Sequence, residues 1–236
     1  MISRQYNVDK KVTMRPAFQS KNQIIHGVLL DAIIQGEFPP STRLIIDELA
    51  AKFEVSPIPI REALRQLEAD GFVSFEPHVG FTVTPIHAGL VTEVFALLES
   101  MEIVSSCEAC QRMSDADLDT IATLINKMDD SMSDPIRWSQ DNKTLHQFIC
   151  ECAQMWLIKK MMQKALDHWN RLQVHYFKDV FSHRVVIAQQ EHRAILDAFR
   201  SRDPKAVERV IRSHNQAALD AYLRYLNSSV PLASES

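Results

Sequence analysis

The sequence predicts a mostly α-helical chain: a small N-terminal unit of three helices and one hairpin, then an all-α antiparallel bundle of about six helices. Three observations predict it. The 236 residues include only five glycines against 46% hydrophobic residues, and the good helix formers Ala, Leu, Met, Glu and Gln recur throughout. Apolar residues return at i, i+3, i+4 and i+7 along most of the chain, the period of a helix with one buried face. The alternation of a half-buried strand is confined to FVSFEPHVGFTVTP at 72–85.

Residues 1–19 hold Arg4, Lys10, Lys11 and Arg15 against Asp9 alone. They read as a flexible arm, either free in solvent or laid along phosphates. In SKNQIIHGVLLDAIIQ (20–35), Ser20 is the N-cap and Gly36 the stop of a helix. Its broad apolar face holds Ile24, Val28, Leu29, Leu30, Ile33 and Ile34. EFPPSTRLI is a turn followed by a short extended piece. Asp47 then caps a second helix with Leu49, Ala50 and Phe53 inward. In the third, 57–70, one stripe is formed by Ile60, Ala63, Leu64 and Leu67. Pro57 and Pro59 stand where the first N–H groups of a helix have no intrahelical acceptor, so their missing donors cost little. The hairpin turns at Pro77–Gly80 and closes the unit at residue 86. Six helices follow across 87–228, near 87–113, 115–131, 136–154, 155–181, 184–201 and 204–227. Their breaks include Ser114, Ser133–Asp134–Pro135 and Asp203–Pro204, and a tail of 229–236 remains.

The net charge of −4 is spread over both units, so bulk charge does not argue for a nucleic-acid partner. No apolar run approaches the roughly 18 residues of a membrane span, and MISRQYNVDKK lacks the core of a secretory signal. A cytoplasmic protein with no membrane partner is expected. Cys107/Cys110 and Cys150/Cys152 fall on helical pattern with CxxC and CxC spacings, and read as free thiols rather than a zinc ribbon.

A short helix, a tight turn and a helix with polar residues at its N-terminal end make the helix-turn-helix layout, and the hairpin beyond adds a wing. Arg61 is placed to donate in bidentate fashion to guanine O6 and N7 in a major groove. Ser56 and Arg65 suit phosphate, Ile58 is exposed at the tip, and His78 and Gly80 form a wing tip facing minor groove or backbone. The competing reading is a surface helix whose arginines pair with Glu62 or Glu68. The stretch PPSTRLIIDELAAKFEVSPIPIREALRQLEADGFVSFEPHVGFTV resembles the winged helix-turn-helix of the GntR family of bacterial transcription regulators. The resemblance implies a homodimer reading a palindromic operator in double-stranded DNA. Pro57 stands where relatives often place a DNA-reading arginine, Ile58 replaces a common threonine, and Arg61 keeps the second family arginine.

Three histidines of the bundle are candidate ligands, and two of them, His192 and His214, fall at or near inward faces. His146 follows Asn142 by one helical turn, His192 lies between Ala188 and Ile195, and His214 shares a stripe with Val207, Val210, Ile211 and Ala218. Spacing alone leaves open lone core histidines or ligands of a divalent ion. EHRAILDAFRSRDPKAVERVIRSH is similar to the signature of the FCD ligand-binding domain of the FadR subfamily, and a bundle of six helices resembles its VanR-type subgroup. This resemblance implies a divalent metal, zinc first with nickel or manganese as others, on His146, His192 and His214. Asn142 takes the place of the family's aspartate, and a small carboxylate effector binds above. Asp141 points about 100° away from that face. Where many relatives have an arginine for the effector this chain has Phe95, so Arg171 is offered instead. Two other classes are weighed. A metal-dependent hydrolase would lack an identifiable base, since Glu191 points elsewhere on its helix from His192. An effector-free architectural DNA-binding protein would use its histidines only structurally.

Overall fold

The computed structural model describes residues 21–229. The arm at 1–19, the Ser20 cap and the tail beyond Ser229 lie outside the described residues. In order come α1 (Lys21–Ile34), β1 (Arg43–Leu44), α2 (Ile46–Lys52), α3 (Pro57–Ala69), β2 (Val73–Glu76) and β3 (Gly80–Val83). The bundle follows as α4 (Ala88–Arg112), α5 (Asp115–Asp130), α6 (Pro135–Cys152), α7 (Trp156–Arg200) and α8 (Pro204–Ser229).

In the N-terminal head, α3 buries Ile60, Ala63, Leu64 and Leu67 against α1, and Phe72, Phe81 and Val83 complete the core. The α1 helix differs from its sequence pattern. It turns Ile25, Leu29 and Ile33 inward and leaves Ile24 51% and Val28 44% exposed. The helix is apolar on nearly every side, so packing rather than pattern selects its buried face. Likewise α2 starts two residues early, with Ile45 rather than Asp47 at the N-cap and no side-chain cap. Asp47 sits inside the first turn, where its charge meets the helix N-terminus. The extended RLI piece becomes β1, which pairs with β3 through Arg43↔Thr82 and Leu44↔Phe81. The sheet order is β1-β3-β2, all antiparallel. Positive φ at His78 (68°) and Gly80 (97°) turns the wing.

In the bundle, α4 packs on α6, α7 and α8. Ser114 and Asp117 form a reciprocal capping box at the start of α5. The expected break at Ser182–His183 is absent. Trp156–Arg200 is one helix of 45 residues, because neither glycine nor proline interrupts VFSHRVV and a serine alone does not end a helical hydrogen-bond ladder. The described bundle therefore has five helices, the fourth doing the work expected of two.

Head and bundle meet along one face of α7. Lys164 Nζ reaches Asp70 Oδ1 at 2.5 Å, and His168 Nε2–H donates to the Asp70 carbonyl at 2.7 Å. The His168 ring stacks on Phe72, 4.0 Å between centroids and 8° from parallel. One turn on, Arg171 donates to the Thr84 carbonyl, and His175 lies against Gly36. Residues 164, 168, 171 and 175 share a helix face, and three of their contacts are to the ends of α1 and α3, where helix dipoles favour hydrogen-bond donors. Gly71, between Asp70 and Phe72, has φ +82°, a conformation that side chains with a Cβ resist. A Cβ there would also lie 3.5 Å from His168.

Both docking imidazoles titrate below the ordinary histidine range. For His168 burial is the main cause, partly offset by the Asp70 carbonyl and reinforced by Arg171. Its Nδ1 is buried with no acceptor, so a second proton has nowhere to go. For His175 burial acts first and Arg171 second. The unfolded chain thus takes up protons below about pH 6.5 that the folded chain refuses. The stability of the docked form is full above that pH and is lost as pH falls through the lower folded values. Thermal melts at pH 7.5 and 5.5 should show a fall in midpoint that shrinks in His168→Gln, which keeps an N–H donor for Asp70 and cannot titrate.

Candidate functional site

The exposed end of α3 is one functional surface. Ser56 is its N-cap and Pro57 its first residue, so the chain enters the helix with a fixed φ. Ile58 is 72% exposed, and Arg61 lies on the outer face opposite the Ile60, Leu64 and Leu67 stripe. No ion pair or hydrogen bond of Arg61 is found among the described residues. Arg65 is different. Its guanidinium donates to Glu68 at 2.8 Å and lies over the Phe75 and Phe81 rings, at 4.4 and 5.4 Å. It ties the helix to the wing while its side chain stays half exposed. His78 and Gly80 sit at the wing turn, and Val79 is exposed between them.

The second site lies where α4, α6, α7 and α8 converge. His146 comes from α6, His192 from α7 and His214 from α8, and all three are buried. One ring nitrogen from each lies within 4.8 Å of the others. The Nδ1 atoms are all engaged. His146 Nδ1 faces Glu102 at 3.0 Å, His214 Nδ1 faces Glu191 at 2.7 Å, and His192 Nδ1 faces Gln189 Oε1 at 3.4 Å. The carboxylates in turn are held, Glu102 by Asn215 at 2.7 Å and Glu191 by both terminal nitrogens of Arg184 at 2.8 and 2.5 Å. Such outer partners fix the tautomer and leave Nε2 as the lone-pair donor.

Charge follows from this packing. Burial pushes the Glu102 carboxyl up, but His146 and the hydrogen bonds of His146 and Asn215 outweigh it and hold it below its usual value. Burial pulls His146 down, yet Glu102 raises it overall. His192 falls well below the ordinary range through burial, then repulsion from His214 and His146. His214 is also lowered, by burial first, although the Glu191 hydrogen bond works against it. Three imidazoles this close do not share three protons. Neutral nitrogens are what a divalent ion requires.

Two buried atoms beside the histidines lack hydrogen-bond partners, His192 Nε2 and Asn142 Oδ1. Asp141 is occupied elsewhere, by Lys127 at 2.6 Å and by Ser131 at 3.3 Å. Asn142 therefore offers the available oxygen on α6, and the donor set of three imidazoles and one amide oxygen fits zinc or a related ion.

Above lies a cavity of about 680 Å³, its open mouth included, bordered by Asn142, His146 and His214 on one side and by Phe95, Trp169 and Tyr222 on another. Arg171 does not border it. That residue is 1% exposed and spends its guanidinium on the head, at Thr84. The cations at the cavity are Lys143 and Arg184. Glu102, Arg184, Gln189 and Asn215 escaped the sequence reading. A signal existed for one of them: Glu102 sits in phase with Val91, Val94, Leu98, Ser105 and Ala109 on the buried face of α4, and a carboxylate on such a stripe demands a partner.

Comparison with known proteins places both units. Residues 22–83 match the profile of bacterial regulatory proteins, gntR family, and residues 93–217 match that of the FCD domain. The chain is 24% identical over 208 residues to the uncharacterized HTH-type transcriptional regulator BphR of Paraburkholderia xenovorans, covering 82% of this chain and 81% of that one. It is 24% identical over 202 residues to the HTH-type transcriptional repressor RspR of Escherichia coli, covering 84% and 87%. The solved structure of E. coli McbR/YncC superposes with a TM-score of 0.71 at 18% identity, over 88% of this chain and 100% of that one.

Proposed function

Because the chain belongs to the GntR family of bacterial transcription regulators and carries an FCD domain, we propose that it binds a palindromic operator as a homodimer and that a small carboxylate, bound beside a divalent metal, sets its affinity. The observation that carries the DNA half is the free, exposed first turn of α3 on a helix whose opposite face is buried. In a major groove Arg61 pairs with guanine O6 and N7. Ser56 and the helix N-terminal N–H groups meet phosphate, Ile58 supplies an apolar contact, and His78 and Gly80 bring the wing to the neighbouring backbone or minor groove. Arg65 positions the wing.

For the metal, zinc first with nickel or manganese as others, His146, His192 and His214 supply nitrogens and Asn142 an oxygen. When bound, the ion supplies positive charge for an anionic effector. Glu102, Glu191 and Gln189 orient the imidazoles.

Members of this family are regulators, not enzymes, and water activation finds no support in the side chains. Both carboxylates near the histidines are already committed as acceptors to Nδ1–H groups, which leaves neither as a base. An effector-free architectural role is disfavoured by the unpaired Asn142 oxygen and His192 nitrogen. No helix among the described residues is long and apolar enough to cross a membrane.

Selection of duplexes from a randomised pool by the full chain tests the DNA half. Enrichment of an inverted repeat, confirmed by mobility shift, is expected. A pool that stays unenriched removes the operator reading.

A further inference from the structure

The cavity over the histidines is chemically two-faced, and its two faces constrain what enters. Its floor is polar: Glu102, Asn142, His146, His214 and Asn215 border it, the Glu102 carboxylate being held by His146 and Asn215. Its walls are built from Phe95, Leu98, Leu166, Trp169 and Tyr222. Phe95 and Tyr222 form a tilted ring pair, 5.4 Å between centroids, and Trp138 completes the aromatic lining while stacking on His192 at 5.8 Å.

The bordering cations are already matched. Arg184 gives both terminal nitrogens to Glu191, and Lys143 lies 3.8 Å from Asp167. What Arg184 keeps is one buried Nε–H with no acceptor. That Nε–H and the cluster of imidazoles face the cavity at the same end, and the Tyr222 hydroxyl adds a neutral polar group to the lining. A single anionic group finds partners there. A second one, carried at the far end of the ligand, would be stripped of water against tryptophan, phenylalanine and leucine with no cation to receive it.

We propose that the effector is a monocarboxylate with a flat, apolar body, an aromatic acid of about benzoate size. Its carboxylate faces the histidine floor and Arg184 Nε, and its ring lies among Phe95, Trp169 and Tyr222. Aromatic faces favour ring-on-ring contact over aliphatic contact of equal area. The inference rests on the effector reading above and narrows it to one chemical class.

The test uses the full chain loaded with zinc, its metal content measured, and four probes at constant ionic strength: benzoate, benzamide, acetate and succinate. Binding is read by calorimetry, thermal midpoint and tryptophan emission, since Trp138 and Trp169 border the cavity. Benzoate is expected to bind saturably and at least about tenfold tighter than the other three. Trp169→Leu is expected to weaken benzoate about tenfold while leaving acetate binding and zinc content unchanged. Phe95→Leu gives a second, milder loss should Trp169→Leu fold poorly. Succinate binding as tightly as benzoate overturns the inference and leaves the effector reading intact. Binding of none of the four to zinc-loaded protein overturns both. Equal benzoate affinity in wild type and in both variants overturns the placement of the ring.

Discussion

Arg61→Ala is expected to lower affinity for the selected inverted repeat by about 1–3 kcal/mol at each half-site, the usual weight of a bidentate arginine–guanine pair. That is roughly 5- to 150-fold per half-site. Its thermal midpoint should not move, because Arg61 is exposed and has no partner among the described residues. Two controls sharpen the result. Loss should be confined to duplexes with the preferred base pair, so scrambled duplex is bound equally by variant and wild type. Arg65→Ala should behave differently, since Arg65 bridges Glu68 on α3 and Phe75 and Phe81 on the wing. It should weaken all duplexes alike and lower the midpoint slightly. If Arg61→Ala binds every duplex as wild type does, α3 is not the reading element.

His192→Ala is expected to take stoichiometric metal, measured by elemental analysis after reconstitution with zinc, to background. His192 is the 0% exposed member of the cluster, its Nε2 has no protein partner, and burial keeps the ring neutral as coordination requires. Metal at 100 to 1,000 times its dissociation constant contributes about 2.7–4.1 kcal/mol to the loaded fold. For a chain of this size the zinc-dependent rise in midpoint, roughly 5–15 °C, should vanish in the variant. Glu191→Gln should weaken metal by about 10- to 100-fold without abolishing it, as loss of an outer partner does. Asn142→Asp should tighten it, because a carboxylate replaces a neutral oxygen. Full zinc occupancy in His192→Ala, or unchanged affinity in Asn142→Asp, would remove these residues from the ligand set.

The contrast between what the sequence discloses and what it hides is physical. The α3 stripe was legible because Ile60, Leu64 and Leu67 repeat at helical spacing against polar neighbours. The hairpin was legible because Phe75, Phe81 and Val83 alternate about a Pro–His–Val–Gly turn. Phase also turned His192 and His214 inward and set His146 on one face with Asn142. Their approach to within 4.8 Å was not readable, since it depends on how three helices cross. The contacts of Arg65 and Arg171 were hidden for a related reason. Helical phase gives a side chain's direction, whereas its partners, Phe75 in one case and the Thr84 carbonyl in the other, come from elements that phase does not locate. The α1 face was lost because a helix apolar all round has no phase to read. The length of α7 was lost because Ser182–His183 reads as a break, although a serine without glycine or proline beside it does not end a helical ladder.

That length has a mechanical meaning. Lys164, His168, Arg171 and His175 grip the head from one end of α7, and Gln189, Glu191 and His192 occupy the other. His168 and His192 are separated along the rod by about 36 Å at 1.5 Å per residue. A rigid lever of that length turns a tilt of about 5° at the histidine end into roughly 3 Å of travel at the head, close to the rise of one base pair, about 3.4 Å in B-DNA. Under the proposed function, small strain at the histidine end would be expressed as register at the head.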